Sequence, residues 1–132
     1  MDSVRLFKRY VMDDKNIALK KLLETTDIDV NMERGWALIY SIKNDCMNSF
    51  KVLVNHPEID LNIRNGEALV QALEYENFRM FNLLLKNGAS VSINPRAILS
   101  TVKEVNEPRF KRVLVKHGFT YLYSNIPSYI EF

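Results

Sequence analysis

Apolar residues recur along this chain in short helical stripes separated by polar turns. Leu38, Ile39 and Ile42 fall on one helix face, and Phe50, Leu53 and Val54 form the i, i+3, i+4 stripe of a second helix. Lys43, Asn44 and Asp45 between them predict a turn, and Pro57 blocks continuation of the second helix. The plan returns with Leu69, Ala72 and Leu73, a turn at Tyr75, Glu76 and Asn77, and a stripe of Met80, Phe81, Leu84 and Leu85. It returns once more after Pro95 and Pro108, each placed near a helix start, where a missing N–H costs nothing. Upstream, Val4, Leu6, Phe7 and Tyr10 precede Ile17 and the run over residues 18–23, which predicts a first helix pair.

These stripes are copies of one another. Ile28-Asp29-Val30-Asn31 lies over Ile59-Asp60-Leu61-Asn62 at an offset of 31, which also carries Leu22 onto Leu53, Phe50 onto Phe81 and Leu53 onto Leu84. Leu84, Gly88 and Val91 then map at 30 onto Leu114, Gly118 and Tyr121, and Ala68-Leu69 maps at 29 onto Ala97-Ile98. Four units follow, at roughly 1–34, 35–65, 66–94 and 95–123, with an aromatic tail over 124–132. All four glycines occupy two repeat positions: Gly88 and Gly118 end helical runs, whereas Gly35 and Gly66 precede Ala-Leu at a turn into a helix. Neither helix of a pair can bury its apolar face alone, so the pairs must stack into one continuous core. The expected architecture is an all-α helical-repeat solenoid of about four helix pairs in a single domain, 1–132.

The repeat resembles a divergent ankyrin repeat. Leu84-Leu85-Lys86-Asn87-Gly88-Ala89-Ser90-Val91-Ser92 matches the family's L-L-x-x-G-A-D-V-N, and Gly66-Glu67-Ala68-Leu69-Val70-Gln71-Ala72 matches G-x-T-P-L-H-x-A more loosely. Thr-Pro and His are absent from the equivalent positions, but the small residue two places later persists as Ser41, Ala72 and Thr101. The connections from Val30 to Ala37 and from Leu61 to Ala68 are about three residues shorter than the family's usual β-hairpin finger, so the fingers should be stunted. A helical-hairpin solenoid of another kind is the alternative.

The resemblance implies macromolecular binding through the concave groove of first helices and finger tips. Carried onto this chain, the groove positions are Tyr40, Lys43, Gln71, Glu74, Tyr75, Ser100 and Lys103, with Arg9 extending the row and Arg34, Trp36, Arg64, Asn65 and Arg96 contributed by the fingers. Trp36 stands first among them, because a large aromatic at a turn has little core to fill; packing on the neighbouring finger is its simpler role.

Composition narrows the chemistry. Hydrophobic residues at 47% and charged residues at 26% suit a chain with a real core, and a formal charge of +2 gives no whole-molecule field toward nucleic acid or anionic membrane. Positive charge gathers in residues 95–132, where Arg96, Lys103, Arg109, Lys111, Arg112 and Lys116 face Glu104, Glu107 and Glu131. A solvated cap explains this cluster most simply, with an acidic protein partner or nucleic acid as the functional readings. Tyr121, Tyr123 and Tyr129, with Phe119 and Phe132, either cover the last helix pair or form an interface such as a homodimer.

No catalytic set emerges. His56 and His117 sit two units apart at helix C-termini, where a histidine favours the negative helix end, and Cys46 has neither a second thiol nor a nearby histidine. Glu74 and Glu76 show no metal-ligand pattern, and no two glycines lie close enough for a phosphate loop. No enzyme activity, metal or cofactor is expected. A single cysteine, an N-terminal region without a signal-peptide core and the lack of long apolar runs point to a cytoplasmic protein. The 13 asparagines, beside only 4 glycines, resemble coding from an AT-rich genome, as in some viruses, phages and intracellular bacteria. The expected function is therefore a module that binds another protein and inhibits or redirects it, with a host factor as the expected partner of a viral or phage chain. The alternative is a nucleic-acid or nucleotide binder using the basic fourth unit.

Overall fold

The computed structural model describes residues 2–119; the tail, with Tyr121, Tyr123, Tyr129 and Phe132, lies outside the described residues. Eight helices and no strand are found among the described residues: α1 (Ser3–Met12), α2 (Asn16–Thr25), α3 (Met32–Lys43), α4 (Met47–Val54), α5 (Ile63–Glu74), α6 (Phe78–Lys86), α7 (Pro95–Val105) and α8 (Pro108–Lys116). Pro95 and Pro108 open α7 and α8 as the sequence predicts. The first helices α1, α3, α5 and α7 pack side by side in one layer, and α2, α4, α6 and α8 in the other.

The repeat offset explains this stack, because each core position is refilled one unit later. Phe7, Leu38, Leu69 and Ile98 form one buried column, Val11, Ile42, Leu73 and Val102 a second, and Leu22, Leu53, Leu84 and Leu114 a third. Phe81 meets Phe110 edge to face at 5.2 Å between ring centroids, which joins α6 to α8. The buried hydroxyls of Ser41 and Thr101 donate to Leu38 O and Ala97 O within their own helices, so neither leaves an unpaired polar group in the core.

Three large apolar residues of the first unit, Val4, Met12 and Ile17, do not join that core. Ile17 is 81% exposed and Val4 38% exposed. Ile17 stands two residues from buried Leu19, about 200° of helix rotation away, so α2 turns it to solvent when Leu19 and Leu22 face inward.

Turns between paired helices repeat one backbone device. Asp14, Asp45, Glu76 and Asn106 occupy the equivalent position and all have positive φ, at 55°, 52°, 52° and 50°. Asp14 and Asp45 also link units: Ser49 N–H donates to Asp14 Oδ1 at 2.7 Å, and Asn77 Nδ2 donates to Asp45 Oδ1 at 3.1 Å.

The fingers are indeed short. In α3, Glu33, Arg34 and Gly35 take φ values of 53°, 55° and 77°, and in α5, Arg64, Asn65 and Gly66 take 53°, 57° and 80°. One left-handed turn thus reverses the chain into the right-handed helix, closed by Gly35 N–H to Asn31 O at 2.9 Å and Gly66 N–H to Asn62 O at 3.0 Å. Asn31 then ties its finger to the next, since its Nδ2 donates to Glu58 O and its Oδ1 accepts from Asp60 N–H, both at 2.8 Å. Asn62 Oδ1 accepts from Ser90 N–H in the same manner. The fourth unit lacks the left-handed turn: Asn94 accepts from Ala97 N–H and Pro95 begins the helix directly.

Gly35 is required twice over, by its φ and by close approach, because a Cβ there would lie 2.6 Å from Ile63 Cγ2. At Gly66 the nearest atom, Ile93 Cγ2, is 3.5 Å away. Gly35→Ala is expected to cost about 2–4 kcal/mol and Gly66→Ala about 1–2 kcal/mol, as read by urea denaturation. Equal losses would contradict the close packing of the two fingers.

Candidate functional site

Equivalent positions on successive first helices form rows across one face of the stack. Arg5, Trp36, Glu67 and Arg96 share one phase, Arg9, Tyr40, Gln71 and Ser100 the next, and Met12, Lys43, Glu74 and Lys103 a third. Of the residues singled out from the sequence, Arg34, Lys43, Asn65, Glu74, Tyr75, Arg96, Ser100 and Lys103 are exposed, and Trp36, Tyr40, Arg64 and Gln71 half-buried. The left-handed turns set Arg34, Arg64 and Asn65 at the edge of this face.

Trp36 is central to the face but not free-standing. Its ring lies 5.1 Å from that of Tyr40, tilted by 35°, and the Lys8 ammonium sits 5.8 Å from its centroid. Lys8 is itself held by Glu33 at 2.8 Å. Trp36 therefore packs against Tyr40 on its own helix and against Lys8 of α1. Lys8 is a member of the face that the sequence did not announce, since its contact depends on side-chain reach between units. The repeat offset places it beside the Arg9 row, which was the available signal.

Charge on this face is uneven. Lys8 pairs with Glu33, and Arg64 with Glu67 at 3.1 Å. Arg5, Arg9, Arg34, Lys43, Arg96 and Lys103 have no ion-pair partner among the described residues, against Glu74 and Glu104 as unpaired carboxylates. Beside the Arg34 and Arg64 turns lies a depression of about 450 Å³.

The basic fourth unit is partly committed to its own fold. Arg109 N–H and Nε both donate to the Glu107 carboxylate, holding its pKa below the usual carboxylate value, with the backbone hydrogen bond as the main cause. Acidification through that lowered pKa removes this cap of α8. The Arg109 guanidinium also stacks 4.6 Å from the Phe78 ring, and Lys111 Nζ donates to Asn106 Oδ1 at 3.0 Å. Arg112 is exposed, whereas Tyr121, Tyr123 and Tyr129 lie outside the described residues. On the second-helix face a groove of about 530 Å³ runs between α2 and α4, with Leu23 and Val52 among its lining residues.

Neither histidine joins a metal set: His56 Nδ1 accepts from Glu58 N–H, and among the described residues no three His, Cys, Asp or Glu side chains converge as metal ligands. Cys46 is buried, and its thiol pKa is raised by burial first and then by the Asp14 and Asp45 carboxylates. The sign disfavours thiolate, so iodoacetamide at about pH 8 should modify Cys46 far more slowly in the folded chain than in urea. Equal rates would contradict its placement.

Two layers of paired helices, refilled at a fixed offset and lacking strands among the described residues, define a helical-repeat protein. A family model described as ankyrin repeats (3 copies) matches residues 9–95, and the chain belongs to the ankyrin-repeat family. The fourth helix pair falls outside the match, although α7 stacks on α5, and α8 on α6, through the same columns. No curated protein and no solved structure matches the chain. Ankyrin repeats are in general protein–protein interaction modules, and the family is typically non-enzymatic. Among the described residues, no helix is long and apolar enough to cross a membrane.

Proposed function

We propose that this protein is a non-enzymatic binding module that holds a partner protein across its first-helix face and thereby inhibits or redirects it. The observation that carries the reading is the tilted Trp36–Tyr40 pair, half-buried with the Lys8 ammonium beside the Trp36 ring, and exposed Tyr75 farther along the same face. Aromatic side chains with one rigid, partly packed side and one open side are favoured interface anchors, because little rotamer entropy is lost on binding. The asparagine-rich composition supports a viral or phage chain whose partner is a host factor in the cytoplasm.

Capture from lysate with the full chain, compared with a Trp36→Ala/Tyr40→Ala double variant, tests the reading. A partner identified by mass spectrometry should be retained by the parent chain and lost from the folded variant. Equal retention by both, or loss only on substituting Lys51 in the second-helix groove, would overturn it.

A further inference from the structure

We propose that the depression beside the finger turns receives a side-chain carboxylate of an acidic, extended partner segment, with Arg34 as its main counter-ion. This rests on the binding-face reading above and names the chemistry of the partner. The depression is lined by Arg34, Arg64, Gln71 and Asn94, with Val70 and Ala97 as its apolar members and Glu67 at its side.

Donors dominate once internal hydrogen bonds are counted. Glu67 is already paired with Arg64 Nη1, and Arg64 Nε donates to Arg34 O at 2.8 Å, which fixes the Arg64 guanidinium while leaving N–H groups unused. Asn94 Oδ1 is occupied by Ala97 N–H, so its amide NH₂ is the group left to offer. The Arg34 side chain has no ion-pair partner among the described residues. Its backbone is set by the left-handed turn, whose φ at Arg34 is 55°. Two guanidiniums and an amide group beside an apolar wall suit a carboxylate on a short methylene stem, which takes bidentate hydrogen bonds from arginine.

The surroundings extend the same preference. Arg5, Arg9, Lys43, Arg96 and Lys103 lie on the rows of the same face without ion-pair partners among the described residues, so further acidic residues of a segment running across the face would meet cations. Glu33, Glu67 and Glu74 interrupt that field. A regularly spaced polyphosphate backbone would be opposed by them, whereas a peptide places its carboxylates only where cations lie. Basic charge alone does not choose this face, since Lys20, Lys51, Arg79, Lys86, Arg112 and Lys116 lie on the second helices. The built depression beside the Trp36–Tyr40 pair does.

Selection of short random peptides displayed on phage against the full chain, followed by titration of the enriched peptides with a fluorescent label, tests the proposal. Enriched peptides should share Asp or Glu at a fixed position. Changing that residue to Asn or Gln should weaken binding about tenfold to the parent chain and leave binding to Arg34→Gln unchanged, as a direct contact requires. Arg112→Gln should bind like the parent, and Arg34→Gln should keep the parent's thermal midpoint. The proposal is overturned if no acidic position is enriched, if Arg112→Gln rather than Arg34→Gln removes the acidic preference, or if a single-stranded oligonucleotide binds with the same Arg34 dependence. Peptides that need Trp36 and Tyr40 but no carboxylate would overturn this proposal and leave the binding-face reading standing. Peptides indifferent to all three residues would overturn both.

Discussion

Leu84→Ala is expected to lower the stability of the stack by about 2–5 kcal/mol, a large share of what a domain of this size possesses. Leu84 is fully buried in α6 and continues the column of Leu22, Leu53 and Leu114, so truncation opens a cavity among neighbours from adjacent units. Collapse around it is restricted, because Phe81 and Leu85 on the same helix are themselves packed into the core. Ile17→Ala is the matched control: at 81% exposure it should change stability by less than about 0.5 kcal/mol. Urea titration followed by circular dichroism reads both values. A loss at Leu84 below about 0.5 kcal/mol would mean that the columns are misaligned.

Trp36→Ala is expected to weaken partner binding by about 2 kcal/mol or more, while costing about 1 kcal/mol in stability. The asymmetry follows from its half-buried placement. The indole's inner side rests on Tyr40 and near Lys8, so some packing is lost in the free protein, but its open side is filled only by a partner. Calorimetric titration with the captured partner gives the first quantity and thermal unfolding the second. Asn82→Ala, on α6 of the other layer, should leave affinity unchanged. Equal effects of Trp36→Ala on affinity and stability would make the tryptophan a packing residue alone.

Those expectations were legible in the sequence to different depths. The columns were, because Leu22, Leu53, Leu84 and Leu114 recur at offsets that a helical stack must repeat, and Gly35 and Gly66 marked the turns that precede the first helices. The conformation of those turns was not. Their left-handed residues include Glu33, Arg34 and Arg64, whose side chains give no sign of that conformation, and only Asn65 is of a type that visits it readily. A weaker signal was present in Asp14, Asp45, Glu76 and Asn106, polar residues recurring at one repeat position, all of which take positive φ. Ile17 was misplaced because an apolar residue at a helix start matches the stripe in composition but not in rotation.

The candidate face was legible only as a set of repeat positions. Tyr40, Gln71 and Ser100 follow from the offset alone, whereas Lys8 beside Trp36 and Asn94 beside Arg34 and Arg64 depend on side-chain reach and on the shortened fingers. Net charge concealed the cations of this face as well, because the carboxylates that balance them lie largely in the connections, at Asp13, Asp27, Asp29, Glu58, Asp60 and Glu76.

Amide hydrogen exchange of the full chain, free and saturated with its captured partner, is the most direct measurement of the central claim. Binding across the first-helix face predicts new protection at the turns holding Arg34 and Arg64 and along α3 and α5, with α4, α6 and α8 unchanged. Protection confined to α8, or to the groove between α2 and α4, would contradict it.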